Sequence, residues 1–225
     1  MITVPQSFLR FSGWMLLLAG VIIGIVQAVH LEDIPAGMEE MSYFVDVAVW
    51  THIALYIGIT MLLMGLAGLY LRQAHALKWW GWISYGFIFF AYMVDLTHAA
   101  IQIFDYPVLF ADIQTEEQLK AASDAVLKVQ MSDGPGSMLM AVAYPMLLLG
   151  ALLMSISMLR AKLLTKWPAI MNLVFLFFMF LPYGPVTKYL FALSFLVYSW
   201  YGAILAFEKR TQPQIPAVTH GAPIV

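Results

Sequence analysis

Six apolar runs, at about 10–29, 46–71, 79–103, 136–159, 167–181 and 187–207, take up most of this 225-residue chain. A hydrocarbon layer about 30 Å thick is crossed by roughly 20 helical residues, so runs of this length fix the solvent as lipid. The fifth run is short and ends at Leu181-Pro182. Unpaired backbone groups cost several kcal/mol in hydrocarbon, and continuous apolarity at this length favours helices over barrel strands. With 62% apolar and 11% charged residues, the chain has too little polar surface for a water-soluble globule. The expected fold is all-α, a six-transmembrane-helix bundle whose main partner is the lipid bilayer. No nucleic acid partner is expected. The first run follows Arg10, as a secretory signal would, but its apolar part is nearly twice a signal's usual length, so it reads as a retained span.

Charges sort by side. Arg10, Arg72, Lys78, Arg160, Lys162, Lys166, Lys209 and Arg210, eight of the eleven basic residues, fall in the N-terminus, the second and fourth loops, or the tail. That bias makes those segments cytoplasmic and puts both termini inside. The first and third loops carry Glu32, Asp33, Glu39, Glu40, Asp105, Asp112, Glu116, Glu117, Asp124 and Asp133 against only Lys120 and Lys128, and are expected outside. No cysteine is present, which removes disulfides, thiolate ligands and thiol nucleophiles.

Short cytoplasmic connections make 1–210 a single membrane domain of antiparallel neighbours. In the long third loop, Thr115-Glu-Glu-Gln118 matches a capping box, and Leu119, Ala122, Val126 and Val129 follow at helical spacing. An amphipathic outer helix over about 115–130 is expected, ending at Ser132-Asp-Gly-Pro-Gly136. The tail, 211–225, lacks apolar periodicity and is expected to be disordered.

Candidate chemistry lies on the first three spans. His52 and His98 are each 23 residues from His75 in the second loop, so a helical hairpin puts them at similar depth. His30 closes the first span on the same side. On the third span Ser84, Tyr92, Asp95, His98 and Gln102 form one polar stripe, expected to face inward. On the second span His52, Tyr56 and Thr60 align at four-residue spacing, Gln27 lies one turn below His30, and the fourth span adds Tyr144 before Pro145. A carboxylate within a span is expensive and finds a partner, which makes Asp95, three residues before His98, the best pointer to a site; an Asp95–His98 interaction is expected.

Two facing imidazoles suit haem ligation, with His52 and His98 as the axial pair of a haem b. His30, His52, Asp95 and His98 form the set for a divalent metal. The plainer reading is that the histidines hydrogen-bond helices to one another. Met38, Met41, Met131 and Met138 near the outer loops suit Cu(I), although methionine is an ordinary packing residue in lipid-facing helices. Trp14, Trp50, Trp79, Trp80, Trp82 and Trp167 lie near span ends as interfacial anchors. Gly13, Gly20 and Gly24 on the first span, with Gly58, Gly65 and Gly68 on the second, permit close helix contact. Asn172 is expected to hydrogen-bond between helices, and Lys188 to reach the interface or an acidic loop.

Trp50-Thr-His52, the segment Gly65-Leu-Ala-Gly-Leu-Tyr-Leu-Arg-Gln-Ala74, Gly81 beginning the next span, and Asp95 through Pro107-Val-Leu-Phe110 resemble a pattern in uncharacterised bacterial multi-spanning membrane proteins. The likeness covers roughly the first half of the chain. It implies a bacterial inner-membrane location and supplies no catalytic residue. The functional expectation is an outward-facing His/Asp pocket with Gln27, Tyr56, Tyr92, Gln102 and Tyr144 around it, binding haem or a metal as a membrane redox component. A small-molecule carrier or receptor is the alternative. An accessory or assembly subunit, working as an oligomer or in a larger complex, is a further one.

Overall fold

A computed structural model describes residues 4–130, 134–181 and 184–208 of the chain. The tail expected to be disordered, and with it Lys209, Arg210 and His220, lies outside the described residues, as do Met131, Ser132, Asp133, Pro182 and Tyr183. Every regular element among the described residues is helical: α1 (Gln6–Val29), a short 3-10 turn at Met38–Glu40, α2 (Met41–Gln73), α3 (Trp79–Leu109), α4 (Glu116–Gln130), α5 (Pro135–Ala161), α6 (Trp167–Phe178), α7 (Pro185–Ser194) and α8 (Leu196–Phe207).

Five of these segments are long and apolar enough to cross a membrane: α1, the stretch from Met38 through α2, α3, α5, and Val186–Phe207 taken through α7 and α8. The fifth run of the sequence is the exception. Its helix, α6, has 12 residues, about 18 Å of helix, and ends before Leu181-Pro182, where a following proline disfavours helical backbone. Length therefore supports a multi-pass helical membrane protein with five helices long enough to cross, while α6, at the fifth expected span, falls short of that length.

Two expected boundaries move outward. α2 starts at Met41 and α3 runs on to Leu109, because Phe44, Tyr106 and Phe110, beyond the apolar runs, pack together with Ala48. α3 absorbs Pro107 in its last turn, at the cost of the intrahelical hydrogen bond that an N–H there would give to the Ile103 carbonyl. Against this cluster α4 lays Leu119, Ala122 and Val126. Its N-terminus is closed reciprocally: the Gln118 backbone N–H donates to Thr115 Oγ1 at 3.2 Å, and Gln118 Oε1 accepts from the backbone N–H groups of Thr115 at 3.2 Å and Gln114 at 2.7 Å. Val129, expected on the same packed face, is instead exposed.

The main core joins α1, α2 and α8. Leu16, Ala19, Ile23 and Val26 of α1 meet Leu55, Ile59, Leu62 and Leu66 of α2, and Val197, Tyr201 and Leu205 close it from α8. Small residues let the backbones approach: a Cβ added to Gly202 would overlap the Leu17 backbone of α1, and one added to Gly13 would overlap Ala206 of α8. α3 and α5 form the second half, joined to the first through α2.

Polar contacts fasten the basic end. Arg72 of α2 makes a forked ion pair with Glu208 after α8, Nε donating to Oε2 at 2.9 Å and Nη2 to Oε1 at 2.5 Å, and Gln6 Nε2 donates to the Glu208 carbonyl at 3.0 Å. Tyr70 and Ser84 join α2 to α3 with hydroxyls 2.5 Å apart. Asn172 Nδ2 donates to the Ala151 carbonyl and Ser155 Oγ at 3.1 and 2.8 Å, tying α6 to α5. Lys78 and Arg160 both lie over the Trp80 ring.

The backbone contact at Gly202 yields a test. Gly202→Ala must push α1 from α8 and is expected to cost about 1–3 kcal/mol, as overpacking does. Gly86→Ala, whose Cβ meets nothing within 4 Å, is expected to be neutral or to stabilise by about 0.5–1 kcal/mol. Thermal unfolding of the two variants in one detergent distinguishes them; equal melting temperatures would refute the close packing.

Candidate functional site: three imidazoles beside an amphiphilic groove

At the acidic end, α1, α2 and α3 bring His30, His52 and His98 together. α2 buries positions 48, 52, 55, 59, 62, 66 and 69, a repeat close to 3.5, and this track carries His52 inward until it is 1% exposed. Tyr56 and Thr60 were expected on the same face. A four-residue step advances about 40° past a full turn, so both rotate off the track and are exposed.

The His52 ring nitrogen Nδ1 is 2.7 Å from the carbonyl of Ala48. A carbonyl only accepts, so Nδ1 carries the hydrogen, and neutral His52 presents a lone pair at Nε2. His30 Nε2 lies 3.3 Å from that atom and donates to it. The two rings are edge to face with centroids 5.0 Å apart, and His52 meets His98 similarly at 6.0 Å.

Between Asp95 and His98, the expected pair, the contact is electrostatic only. No hydrogen bond or ion pair joins them among the described residues; the His98 partner is Gln102, one turn on, with nitrogens 3.2 Å apart. The same Gln102 Nε2 donates to Asp33 Oδ1 at 3.3 Å. With its NH2 group serving both, Gln102 makes His98 Nε2 an acceptor. Tyr106 Oη donates to the Asp33 carbonyl at 2.9 Å, and Lys188 Nζ of α7 donates to the His30 carbonyl at 2.7 Å. The acid in this network is thus Asp33 of the first loop rather than Asp95. Spacing favoured Asp95 because it shares a helix with His98; the adjacency of Asp33 to His30 was the available signal for the other carboxylate.

The expected ring of polar residues divides. Gln102 belongs to the histidine network. Tyr92 and Tyr144 line a separate cavity of about 50 Å³ with Asn172 and Tyr198. Tyr56 faces outward, and Gln27 is half-buried on α1 with no hydrogen bond among the described residues. No group of three or more His, Asp or Glu side chains is arranged to hold a metal ion among the described residues.

His98 also forms the wall of a larger feature. A groove of about 860 Å³ opens between α3, α4 and the start of α5. Val94, Thr97, His98, Ile101, Gln102, Asp105, Tyr106 and Leu109 line it from α3, in an alternation of three-residue and one-residue steps that keeps them on one face. Val126 and Val129 of α4, with Leu139 and Met140 of α5, form the opposite side, and Asp33 joins the α3 side through Gln102 and Tyr106. The Ser137 hydroxyl donates to the Val129 carbonyl at 3.0 Å and fastens α5 to α4 beside it. Sequence reading missed the groove because its α4 and α5 side is largely apolar, and apolar residues in a span are indistinguishable from lipid-facing ones by composition.

Removing the Gln102 amide leaves Asp33 and His98 without their shared donor. Gln102→Leu is expected to lower stability by about 1–3 kcal/mol, read from thermal unfolding, while Gln102→Asn, too short to bridge both, is expected to recover at most part of it.

Desolvation pushes the His30 imidazole below its ordinary range, opposed by its hydrogen bond to the Leu31 backbone and the Asp33 charge, and reinforced by His98 and Lys188. The unfolded chain then holds more protons than the folded one through that window. Stability from this group is therefore complete above about pH 6.5 and is lost as pH falls toward the lower folded value. The melting temperature is expected to fall between pH 8 and pH 5, and His30→Gln to flatten the dependence.

Comparison with known protein families, with curated proteins and with solved structures finds no match for this chain.

Proposed function

We propose that this chain is a multi-pass membrane protein that binds an amphiphilic small molecule, as a receptor or carrier, in the groove between α3, α4 and α5. The observation that carries this reading is the groove itself: its volume of about 860 Å³ is within the range of about 300–1,000 Å³ for small-molecule sites. Its α4 and α5 side is apolar apart from Ser137, and its other polar groups, Asp33, Thr97, His98, Gln102, Asp105 and Tyr106, gather on the α3 side. A hydrocarbon body with a polar head matches that asymmetry. The histidine network supports the polar side, since His98 is held by Gln102 and backed by the His52–His30 pair.

The accompanying topology is six crossings, with the basic end cytoplasmic and the groove toward the outer leaflet of a bacterial inner membrane. Charge bias supports this orientation, and the sixth crossing follows from the need to connect the basic end of α5 to α7, whose Lys188 lies beside His30.

A redox component holding a metal or haem is the second reading. It is favoured by the His52 tautomer, because an Nδ1–H bound to a carbonyl with Nε2 left as the lone pair is the usual preparation of a ligating histidine. His52 and His98 are the axial candidates, with His30 beside them. A purified sample with no Soret band and no stoichiometric iron, copper or zinc removes it.

The groove reading is tested by photolabelling the full chain in lipid nanodiscs with a neutral alkyl-diazirine alcohol. Saturable labelling is expected at Thr97, Ile101, Leu139 or Met140 and is expected to fall at least tenfold in Leu139→Trp, which fills the groove. Labelling spread evenly over the lipid-facing helices, or unchanged in Leu139→Trp, overturns it.

A further inference from the structure

The charges around the groove narrow the ligand class, and the argument rests on the groove being a binding site. Among the described residues its fixed ionisable lining is acidic, with Asp33 and Asp105 on the α3 side and no lysine or arginine. Asp33 Oδ1 takes one hydrogen from Gln102, and a carboxylate has acceptor capacity beyond one such bond. Asp105 is exposed and projects from the same face of α3 as Gln102 and Tyr106. Tyr106 also lines the groove on this side, its ring packed against Phe44 and Phe110. The sequence around this side, with Glu32, Glu39 and Glu40 in the first loop, adds negative potential of the same sign.

We infer that the groove takes a lipophilic cation, an organic ammonium or a comparable onium ion carrying apolar substituents, with its charge between Asp33 and Asp105 and its apolar body along Ile101, Val129 and Leu139. A zwitterionic phospholipid fits less well. Its ammonium group suits the two carboxylates, but its phosphate would lie near the same carboxylates with no lysine or arginine among the described lining residues to neutralise it. An anionic amphiphile meets like charge. A neutral one leaves the carboxylates with nothing to neutralise.

Two ions of nearly the same shape and opposite charge provide the test. Binding of tetraphenylphosphonium and of tetraphenylborate to the full chain is measured by titration calorimetry in nanodiscs of phosphatidylcholine, with empty nanodiscs subtracted. The cation is expected to bind saturably at one site per chain and the anion not to bind. Asp105→Asn, an exposed change, and Asp33→Asn, which keeps an oxygen for Gln102, are each expected to weaken cation binding about tenfold without moving the melting temperature. Leu139→Trp is expected to abolish it.

Equal binding of both ions, binding of the anion alone, or cation binding indifferent to both Asn variants overturns the inference. If neither ion binds while the neutral diazirine alcohol still labels the groove saturably, the cation assignment fails and the amphiphile site stands. If phosphatidylcholine is retained at one molecule per chain and is lost in Leu139→Trp, a zwitterionic lipid is the occupant and the inference fails. If no probe of any charge reaches the groove, both readings fail.

Discussion

The hydrogen bond from His52 to the Ala48 carbonyl, one turn back on the same helix, organises the acidic end of the bundle. It consumes one ring nitrogen and turns the other into an acceptor aimed at α1. His30 answers it, and its position at the end of α1 sets where the first loop leaves that helix. Asp33 follows within three residues and meets Gln102 and Tyr106 of α3. A polar group inside an apolar assembly must find a partner or forfeit its hydration. Apart from the His52–Ala48 and Gln102–His98 bonds, which stay within one helix, each donor in the series is directed at an acceptor from another helix or loop. One intrahelical bond thereby fixes a tautomer, and the tautomer fixes which three segments meet.

The opposite end is fastened by a different means. Arg72 and Glu208 form a charged fork, with Gln6 on the same residue's carbonyl, so α1, α2 and α8 are clamped where their backbones already approach most closely. Between the two ends, Gly13 and Gly202 allow contact that side chains would forbid. α3 and α5 are attached to this clamp mainly through α2. The groove lies on the far side of that second pair, bordered by α4, whose hold on the bundle is the small apolar cluster of Leu119, Ala122 and Val126. Packing is thus densest in the α1–α2–α8 half and most open where ligand access is proposed.

Much of this architecture was legible in the residues. Span positions followed from run length, because hydrocarbon leaves the backbone few alternatives. The capping box at Thr115 and Gln118 and the inter-helix role of Asn172 followed from local chemistry that needs no tertiary knowledge. The convergence of His30, His52 and His98 followed from equal depth on a hairpin. What periodicity could not give was azimuth beyond one turn. Tyr56 shares a four-residue step with His52 yet drifts outward, and Asp95 lies one turn from His98 yet makes no bond to it. Nor could it show that a loop carboxylate, Asp33, displaces a helical one, since that depends on the three-dimensional exit of the chain from α1. The short α6 was visible as a short run, but its length alone did not reveal whether neighbouring residues would extend the helix.

The brevity of α6 has a consequence for the surrounding membrane. Helix there accounts for about 18 Å, whereas α2, at 33 residues, extends over about 50 Å. A bilayer cannot match both lengths around one perimeter without deforming. Beside α2 the excess is met by projection into the headgroup layer, where Trp50 is already exposed. Beside α6 the acyl chains must shorten locally, or neighbouring protein must cover the residues that follow Phe178. The hydrophobic thickness presented to lipid is therefore uneven around the molecule, and the α6 sector is where a thinner or more compressible bilayer is best accommodated.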